Sequence, residues 1–186
     1  MRGRSIGWLL CAGLIAAGCA SSSGSRHAAG NPDEYFVVWA SQMNLAEIQA
    51  GEMASQRAVN GEVRRYGEEM VQAHREANQE LERLAERNGV TLASRPDEAH
   101  VQFSEHLEKL EGEAFDREYI GSMVANHAKT LAMFEERARS ASDPGLRNWA
   151  RQMVPVLEEH LQQARSIQEE IERVEPASTP LRIVPP

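Results

Sequence analysis

The chain has 186 residues, of which 26% are charged and only 5% aromatic, and its formal net charge is −8. An acidic balance of this size argues against binding to nucleic acid or to anionic lipid. The sequence contains two cysteines, Cys11 and Cys19, and both lie near the N-terminus. No disulfide is therefore expected within the body of the protein, and thiol chemistry is excluded there.

The first 18 residues predict a signal peptide. Arg2 and Arg4 precede an apolar run over residues 7–17, which is too short to span a bilayer as a mature helix. The run ends in Ala16-Ala17-Gly18-Cys19, which resembles a lipobox, with Ala16 in place of the usual Leu. The resemblance implies cleavage before Cys19 and attachment of a diacylglycerol to its thiol. Ordinary secretion with cleavage nearby is the alternative.

Lipidation of Cys19 would anchor the protein to a membrane on the periplasmic side. Ala20 follows the cysteine, and in the sorting signals resembled here it is mainly an Asp at this position that retains a protein in the inner membrane. The outer membrane is therefore the expected location. Removal of Arg2 and Arg4 would leave 18 basic residues against 28 acidic ones, a net charge of −10.

The segments at either end of the mature chain have little to bury. Residues 19–31 are rich in Ser, Gly and Ala and predict a flexible tether between the lipid and the fold. Residues 175–186 contain four prolines, which cannot continue a helix, so a disordered tail is expected. A single domain is predicted between them, over residues 32–174.

Within that domain, apolar residues recur every three or four positions, which is the period of a helix face. The first helix is expected from Asn31-Pro32 to about Ala58, and the second from Asn60-Gly61 to Gly89. A shorter helix is expected between Ser94 and Leu110. The third long helix carries an apolar stripe from Ile120 to Ala138. The fourth begins at Asp143-Pro144.

These elements predict an all-α fold, a ferritin-like four-helix bundle in which two helical hairpins are joined by a crossover containing a short extra helix. Two segments are also similar to each other, residues 66–74 and residues 119–127, as are residues 39–43 and 149–153. This pattern would pair the second long helix with the third and the first with the fourth. Duplication of a hairpin and coincidence of helical composition both remain open.

Each of the four apolar stripes is interrupted by one side chain that can bind a metal: Glu47, His74, His127 and His160. Glu47 and His74 are symmetric about the Asn60-Gly61 turn, and the other two about the Asp143-Pro144 turn, so each pair should lie at one height near mid-bundle. One carboxylate and three imidazoles at one level predict a site for a transition-metal ion: Zn, Fe, Mn or Cu.

The alternative is a metal-free polar layer, in which the same four side chains hydrogen-bond one another and set the helix register. Four methionines lie one or two turns away on the same stripes: Met43, Met70, Met123 and Met153. Thioethers together with imidazoles suit copper, although methionine is more often a core filler.

No catalytic signature is present. A di-iron oxidase needs Glu-x-x-His on two helices, and here Val71, Val124 and Leu157 stand three residues before the histidines. Serine-hydrolase elbows, phosphate loops and dinucleotide-binding glycine patterns are missing too. The sequence therefore predicts no enzyme activity. Asp116, His100 and His106 are expected to have local capping or solvated roles.

From Asp33 to about Ile167 the chain resembles a bacterial family of ferritin-like fold, domain of unknown function 4142, often labelled as outer-membrane proteins. The residues that carry the resemblance are Leu45-Ala46-Glu47, Met70-Val71 with His74, Phe115-Asp116-Arg117-Glu118-Tyr119, Met123-Val124 with His127, Asp143-Pro144, and Pro155 with His160-Leu161. The family commonly has Asp before the second- and third-helix histidines, where this chain has Ala73 and Asn126. The resemblance implies the fold and an envelope location, with no established reaction.

Overall fold

A computed structural model describes residues 31–174 as five helices, and no strand is formed over that range. The helices are α1 Pro32–Arg57, α2 Gly61–Asn88, α3 Glu98–Leu107, α4 Gly112–Ser140 and α5 Pro144–Val174. The predicted fold class is confirmed, with α3 as the crossover helix. The predicted signal peptide, the predicted lipidation site Cys19, the predicted tether up to residue 30 and the predicted tail lie outside the described residues. Among the helices that are described, none has a stretch apolar and long enough for a membrane span.

The helices begin where polar side chains can accept hydrogen bonds from the free backbone N–H groups of a first turn. The Asn31 side chain accepts from the N–H of Asp33 at 3.0 Å, and Asn60 does the same for Glu62 at 2.7 Å. Asp143 accepts from the N–H of Leu146 at 2.7 Å. The predicted starts of these three helices, at Asn31-Pro32, Asn60-Gly61 and Asp143-Pro144, are therefore confirmed as the starts of α1, α2 and α5.

The bundle consists of two hairpins, α1 with α2 and α4 with α5, which pack against each other through α1–α4 and α2–α5 contacts. Its apolar interior has two parts. The Trp149 core contains Phe36, Ala77, Leu81, Phe134, Leu146, Trp149 and Leu157, among others. The Tyr119 core contains Ala50, Tyr66, Met70, Phe115, Tyr119, Met123 and Ala164, among others. Along each long helix, the predicted metal-binding position falls between these two parts.

Two buried aspartates join the hairpins at opposite ends of the bundle. Asp33, at the start of α1, accepts hydrogen bonds from the N–H groups of Ser142 and Asp143 in the α4–α5 turn, both at 2.8 Å. Asp116, near the start of α4, accepts from Val59 and Asn60 in the α1–α2 turn, at 3.2 and 2.7 Å. The turns therefore lie at opposite ends. Asp116 joins the two hairpins, where the sequence had indicated a local capping role.

These contacts make α1 equivalent to α4 and α2 equivalent to α5. An arginine supports the same equivalence in each second helix: Arg64 donates to the carbonyl of Ala58, and Arg147 to the carbonyl of Ala141. The similarity seen in the sequence pairs the helices differently, α2 with α4 and α1 with α5. The hydrogen-bonded framework does not follow that pairing.

Replacing Asp116 with Ala is expected to destabilise the protein by about 2 kcal/mol, because two backbone N–H groups would lose a charged acceptor. Urea unfolding would measure the change. Glu113→Ala is the matched control, since Glu113 is an exposed acid one turn earlier on α4. An equal loss in both variants would contradict the capping role.

The two helices of the first hairpin approach closely at a pair of glycines. A Cβ atom on Gly51 would lie 2.7 Å from the carbonyl oxygen of Gly67, and one on Gly67 would lie 2.8 Å from the Cβ of Ala54. Backbone atoms cannot move aside cheaply, so only glycine permits this spacing of α1 and α2.

Gly51→Ala is therefore expected to lower the free energy of unfolding by about 1–3 kcal/mol through overpacking. Gly121→Ala in α4 is the control, because a Cβ there meets nothing within 4 Å. That variant should be stabilised by about 0.5–1 kcal/mol through helix propensity. Chemical denaturation of both variants checks the prediction, which fails if Gly51→Ala is as stable as Gly121→Ala.

Candidate metal centre

Three of the four predicted ligands meet in the bundle interior. His74 of α2, His127 of α4 and His160 of α5 each present a ring nitrogen, and these nitrogens lie within 4.8 Å of one another. The ring centroids are 5.5 Å apart for His127 and His160, and 5.9 and 6.0 Å for the other two pairs. We call these three residues the histidine cluster.

Each ring has a buried nitrogen with no hydrogen-bond partner among the described residues: Nε2 of His74, Nε2 of His127 and Nδ1 of His160. For two of the rings, the other nitrogen is occupied. Nδ1 of His74 lies 3.0 Å from the side-chain oxygen of Asn44, and Nδ1 of His127 lies 3.0 Å from the carbonyl oxygen of Met123. Because an oxygen of this kind can only accept, these Nδ1 atoms carry the proton, and the lone pair is on Nε2.

The surroundings keep the three imidazoles neutral. Burial lowers the pKa of His74 well below its usual value, and the neighbouring His127 and His160 lower it further. Burial also lowers the pKa of His127 to about 4, with His160 adding to the effect. The pKa of His160, which is partly buried, is lowered for the same reason. A neutral imidazole with a free lone pair is the form that binds a metal.

The separations suit a shared ion after a small inward movement. Around a tetrahedral zinc ion, nitrogens at about 2.0–2.1 Å from the metal are about 3.4 Å apart. The cluster nitrogens, within 4.8 Å of one another, would need to approach by up to about 1.4 Å. Rotation of the histidine side chains is the movement that would bring the nitrogens to this spacing.

Glu47, the fourth predicted ligand, is not part of the cluster. It is 3% exposed, and its Oε2 atom has no hydrogen-bond partner among the described residues. Burial raises the pKa of this carboxyl to about 8. Burial raises the pKa of Tyr66 and of Tyr119, and the charge of Glu47 raises both further. Glu47 is therefore a buried carboxyl beside the histidines.

A small cavity of about 10 Å³ adjoins the cluster, which is about the space that a single water molecule needs. Its wall includes Glu47, His74 and His127, together with Asn44 and Thr130. Apolar side chains complete the lining: Ala40, Met43, Phe134, Met153 and Leu157. Polar groups from three helices thus surround one water-sized space.

The family of the chain follows from a family model for a domain of unknown function, DUF4142, which matches residues 19–167. The chain belongs to the DUF4142 family. None of the curated proteins matches this DUF4142 protein significantly. Its fold is similar to the crystal structure of a DUF305 protein from Streptomyces coelicolor, described as secreted, with a TM-score of 0.65. That likeness spans 75% of this chain and 92% of the other at 16% identity, and it shows a shared helical fold.

The remaining histidines of the described part of this DUF4142 protein lie outside the cluster. His100 is paired with Asp97 at the start of α3, at 2.6 Å. His106 lies 3.7 Å from Glu118 on the protein surface. Both therefore have the local roles that the sequence indicated.

Of the four methionines, Met43 and Met153 line the cavity, whereas Met70 and Met123 are packed in the Tyr119 core. Sequence reasoning missed Asn44 and Thr130. Asn44 could have been found, because it lies one turn before Glu47 on the same helix face. Thr130 interrupts the apolar stripe of α4 one turn after His127 in the same way.

Proposed function

We propose that this protein is a lipid-anchored envelope protein whose bundle core binds one transition-metal ion through His74, His127 and His160. The observation that supports the proposal is the meeting of three ring nitrogens within 4.8 Å of one another, each ring having a buried nitrogen without a partner among the described residues. Burying three nitrogens without hydrogen-bond partners lowers the stability of the fold. A shared ion would give each of them a ligand bond. We propose a role in metal handling or in envelope stress.

The neighbours of the cluster support the same proposal. Metal-binding histidines usually donate their second N–H to an oxygen, which orients the ring and fixes its tautomer. Asn44 supplies that oxygen to His74, and the carbonyl of Met123 supplies it to His127. The lowered pKa values keep the rings unprotonated, so proton competition with the ion is weak at neutral pH.

Among the candidate ions Zn, Fe, Mn and Cu, the donor set favours those that accept imidazole readily. Nitrogen donors suit zinc, copper and iron, whereas manganese prefers carboxylate and water oxygens. Met43 and Met153 near the cluster add thioether sulfurs to the surroundings, which would favour copper if they reach the ion. Zinc and copper are thus the first ions to test.

The test is metal analysis of the purified full chain, followed by titration with Zn, Cu, Fe and Mn after chelation. We expect one ion per chain in the unsubstituted protein, and binding weakened at least 100-fold in His127→Ala and His160→Ala. His100→Ala and His106→Ala are matched controls, because these histidines lie outside the cluster, and they should bind as before. Absence of binding by the unsubstituted protein would refute the proposal.

The envelope location rests on Cys19 and the small residues before it. Cys19→Ala should shift the protein from the membrane fraction to the soluble periplasmic fraction, because the lipid is the only attachment proposed. Labelling with a radioactive fatty acid should mark the unsubstituted protein and not the variant. A soluble, unlabelled natural protein would end this part of the proposal.

A metal-free structural module is the second candidate. It is favoured by the hydrogen bonds that the polar layer makes between helices, such as His74 with Asn44 and the Tyr66 hydroxyl with the carbonyl of His160 at 3.3 Å. In that case the layer would set helix register. The histidine variants would then change stability equally with and without added metal.

A further inference from the structure

We infer that the ion held by the histidine cluster keeps one coordination position for a small exogenous ligand, a water or hydroxide oxygen or a ligand of that size, with Glu47 as its hydrogen-bond partner. The inference rests on the proposed metal binding and adds to it the fourth ligand and the role of Glu47. The sequence predicts Glu47 to be a fourth ligand. The structure leaves it outside the group of side chains that can share an ion.

The histidine cluster supplies only three protein ligands. Zinc and similar ions take at least four ligands, and sites with three protein ligands complete the shell with water or substrate. Within residues 31–174, the cluster that can share an ion contains the three histidines and no carboxylate. A fourth ligand must then come from solvent.

The cavity beside the cluster has room for the fourth ligand. It is bordered by His74 and His127 and also by Glu47, so a molecule inside it touches both the ion's surroundings and the carboxyl. Its volume of about 10 Å³ matches a single water. A larger ligand would have to displace side chains from the wall.

Two polar atoms of residues that line the cavity lack a hydrogen-bond partner among the described residues. Oε2 of Glu47 and Nδ2 of Asn44 are buried without a partner among the described residues, and both residues line the cavity. A buried polar atom normally has a hydrogen-bond partner. A water bound to the ion through its oxygen can donate a hydrogen bond to the carboxyl of Glu47, and the amide of Asn44 can donate a hydrogen bond to the same oxygen. Glu47 is in this arrangement a positioning residue.

The test uses the full chain loaded with cobalt(II), an ion that coordinates like zinc and has visible absorption and an EPR signal. Spectra are recorded in ordinary water and in water enriched in oxygen-17. We expect EPR lines broadened by oxygen-17, which shows an oxygen from solvent on the ion. The same measurement is made for Glu47→Gln and for Glu52→Gln, a matched control on the outer face of α1 that pairs with Arg75.

Glu47→Gln should keep the oxygen-17 broadening, shift the visible bands and weaken cobalt binding by about 10-fold, the effect typical of an outer partner of a metal ligand. Glu52→Gln should match the unsubstituted protein in all three. The inference is overturned if cobalt binds to the unsubstituted protein without oxygen-17 broadening, or if Glu47→Gln weakens binding more than about 100-fold, which would make Glu47 a ligand. An unsubstituted protein that binds none of Co, Zn, Cu, Fe and Mn refutes instead the proposed function.

Discussion

The metal-free protein is expected to be most stable near pH 6.5 and to lose stability on both sides of that value. The alkaline loss comes from Glu47, whose pKa rises from 4.5 to about 8 on folding. Between these values the folded state holds a proton that the unfolded state has released, so the free energy of unfolding falls as the pH rises. The full effect has an upper limit of about 5 kcal/mol, at about 1.4 kcal/mol per pKa unit.

The acid loss comes from the histidines. His127 goes from 6.5 in the unfolded chain to about 4 in the folded protein, and the pKa values of His74 and His160 are also lowered. Below pH 6.5 the unfolded chain therefore binds more protons than the folded protein, and stability falls as the pH falls. In this range the three histidines change the number of bound protons more than the single glutamate does. The free energy of unfolding therefore rises as the pH rises towards neutral.

Glu47→Gln separates the alkaline loss of stability from the acid loss. An amide does not titrate, so this variant should show no loss between about pH 6.5 and 8, where the unsubstituted protein should lose about 2 kcal/mol. Urea unfolding in the presence of a chelator, at a series of pH values, gives the profile. Glu52→Gln is the control and should keep the alkaline loss. A flat alkaline profile for the unsubstituted protein would mean that Glu47 is not held in its protonated form.

A bound ion should raise the thermal stability of the fold. If zinc binds only the folded state, a free concentration of about 100 times its dissociation constant adds about 2.7 kcal/mol. For a domain of this size the melting temperature should rise by about 5–10 °C. Differential scanning calorimetry with zinc and with chelator measures the melting-temperature difference for each variant separately. The loss of stability caused by deleting a buried side chain affects both measurements and therefore cancels.

His127→Ala should show no zinc-dependent shift, whereas His106→Ala should show the full one. Because the pKa of His127 lies at about 4 in the folded protein, the shift should persist to about pH 5, where an exposed histidine site would already be protonated. A zinc shift that survives in His127→Ala would place the ion elsewhere on the protein.

The sequence by itself determined the helices and the order in which they pair. Their starts depend on local chemistry, such as the Asn31 and Asn60 side chains that accept from nearby N–H groups, and such contacts lie within a few residues of each other. The helix period placed His74, His127 and His160 on inward faces, and the symmetry of each pair about its turn put them near one height. These predictions need only the regular geometry of a helix.

Only the tertiary structure decided which of the four residues meet. The height of a residue along the helix axis does not determine the direction in which its side chain points around that axis. The turn residues between two helices also lack the regular rise of a helix, so heights counted across a turn are approximate. His74 therefore lies against Asn44, one turn before Glu47. Glu47 lines the same cavity as His74 and His127 but does not join the group of three imidazoles that could share an ion. The pairing of Asp33 and Asp116 with distant turns was likewise beyond the sequence, because it joins residues of different hairpins whose approach depends on the packing of the whole bundle.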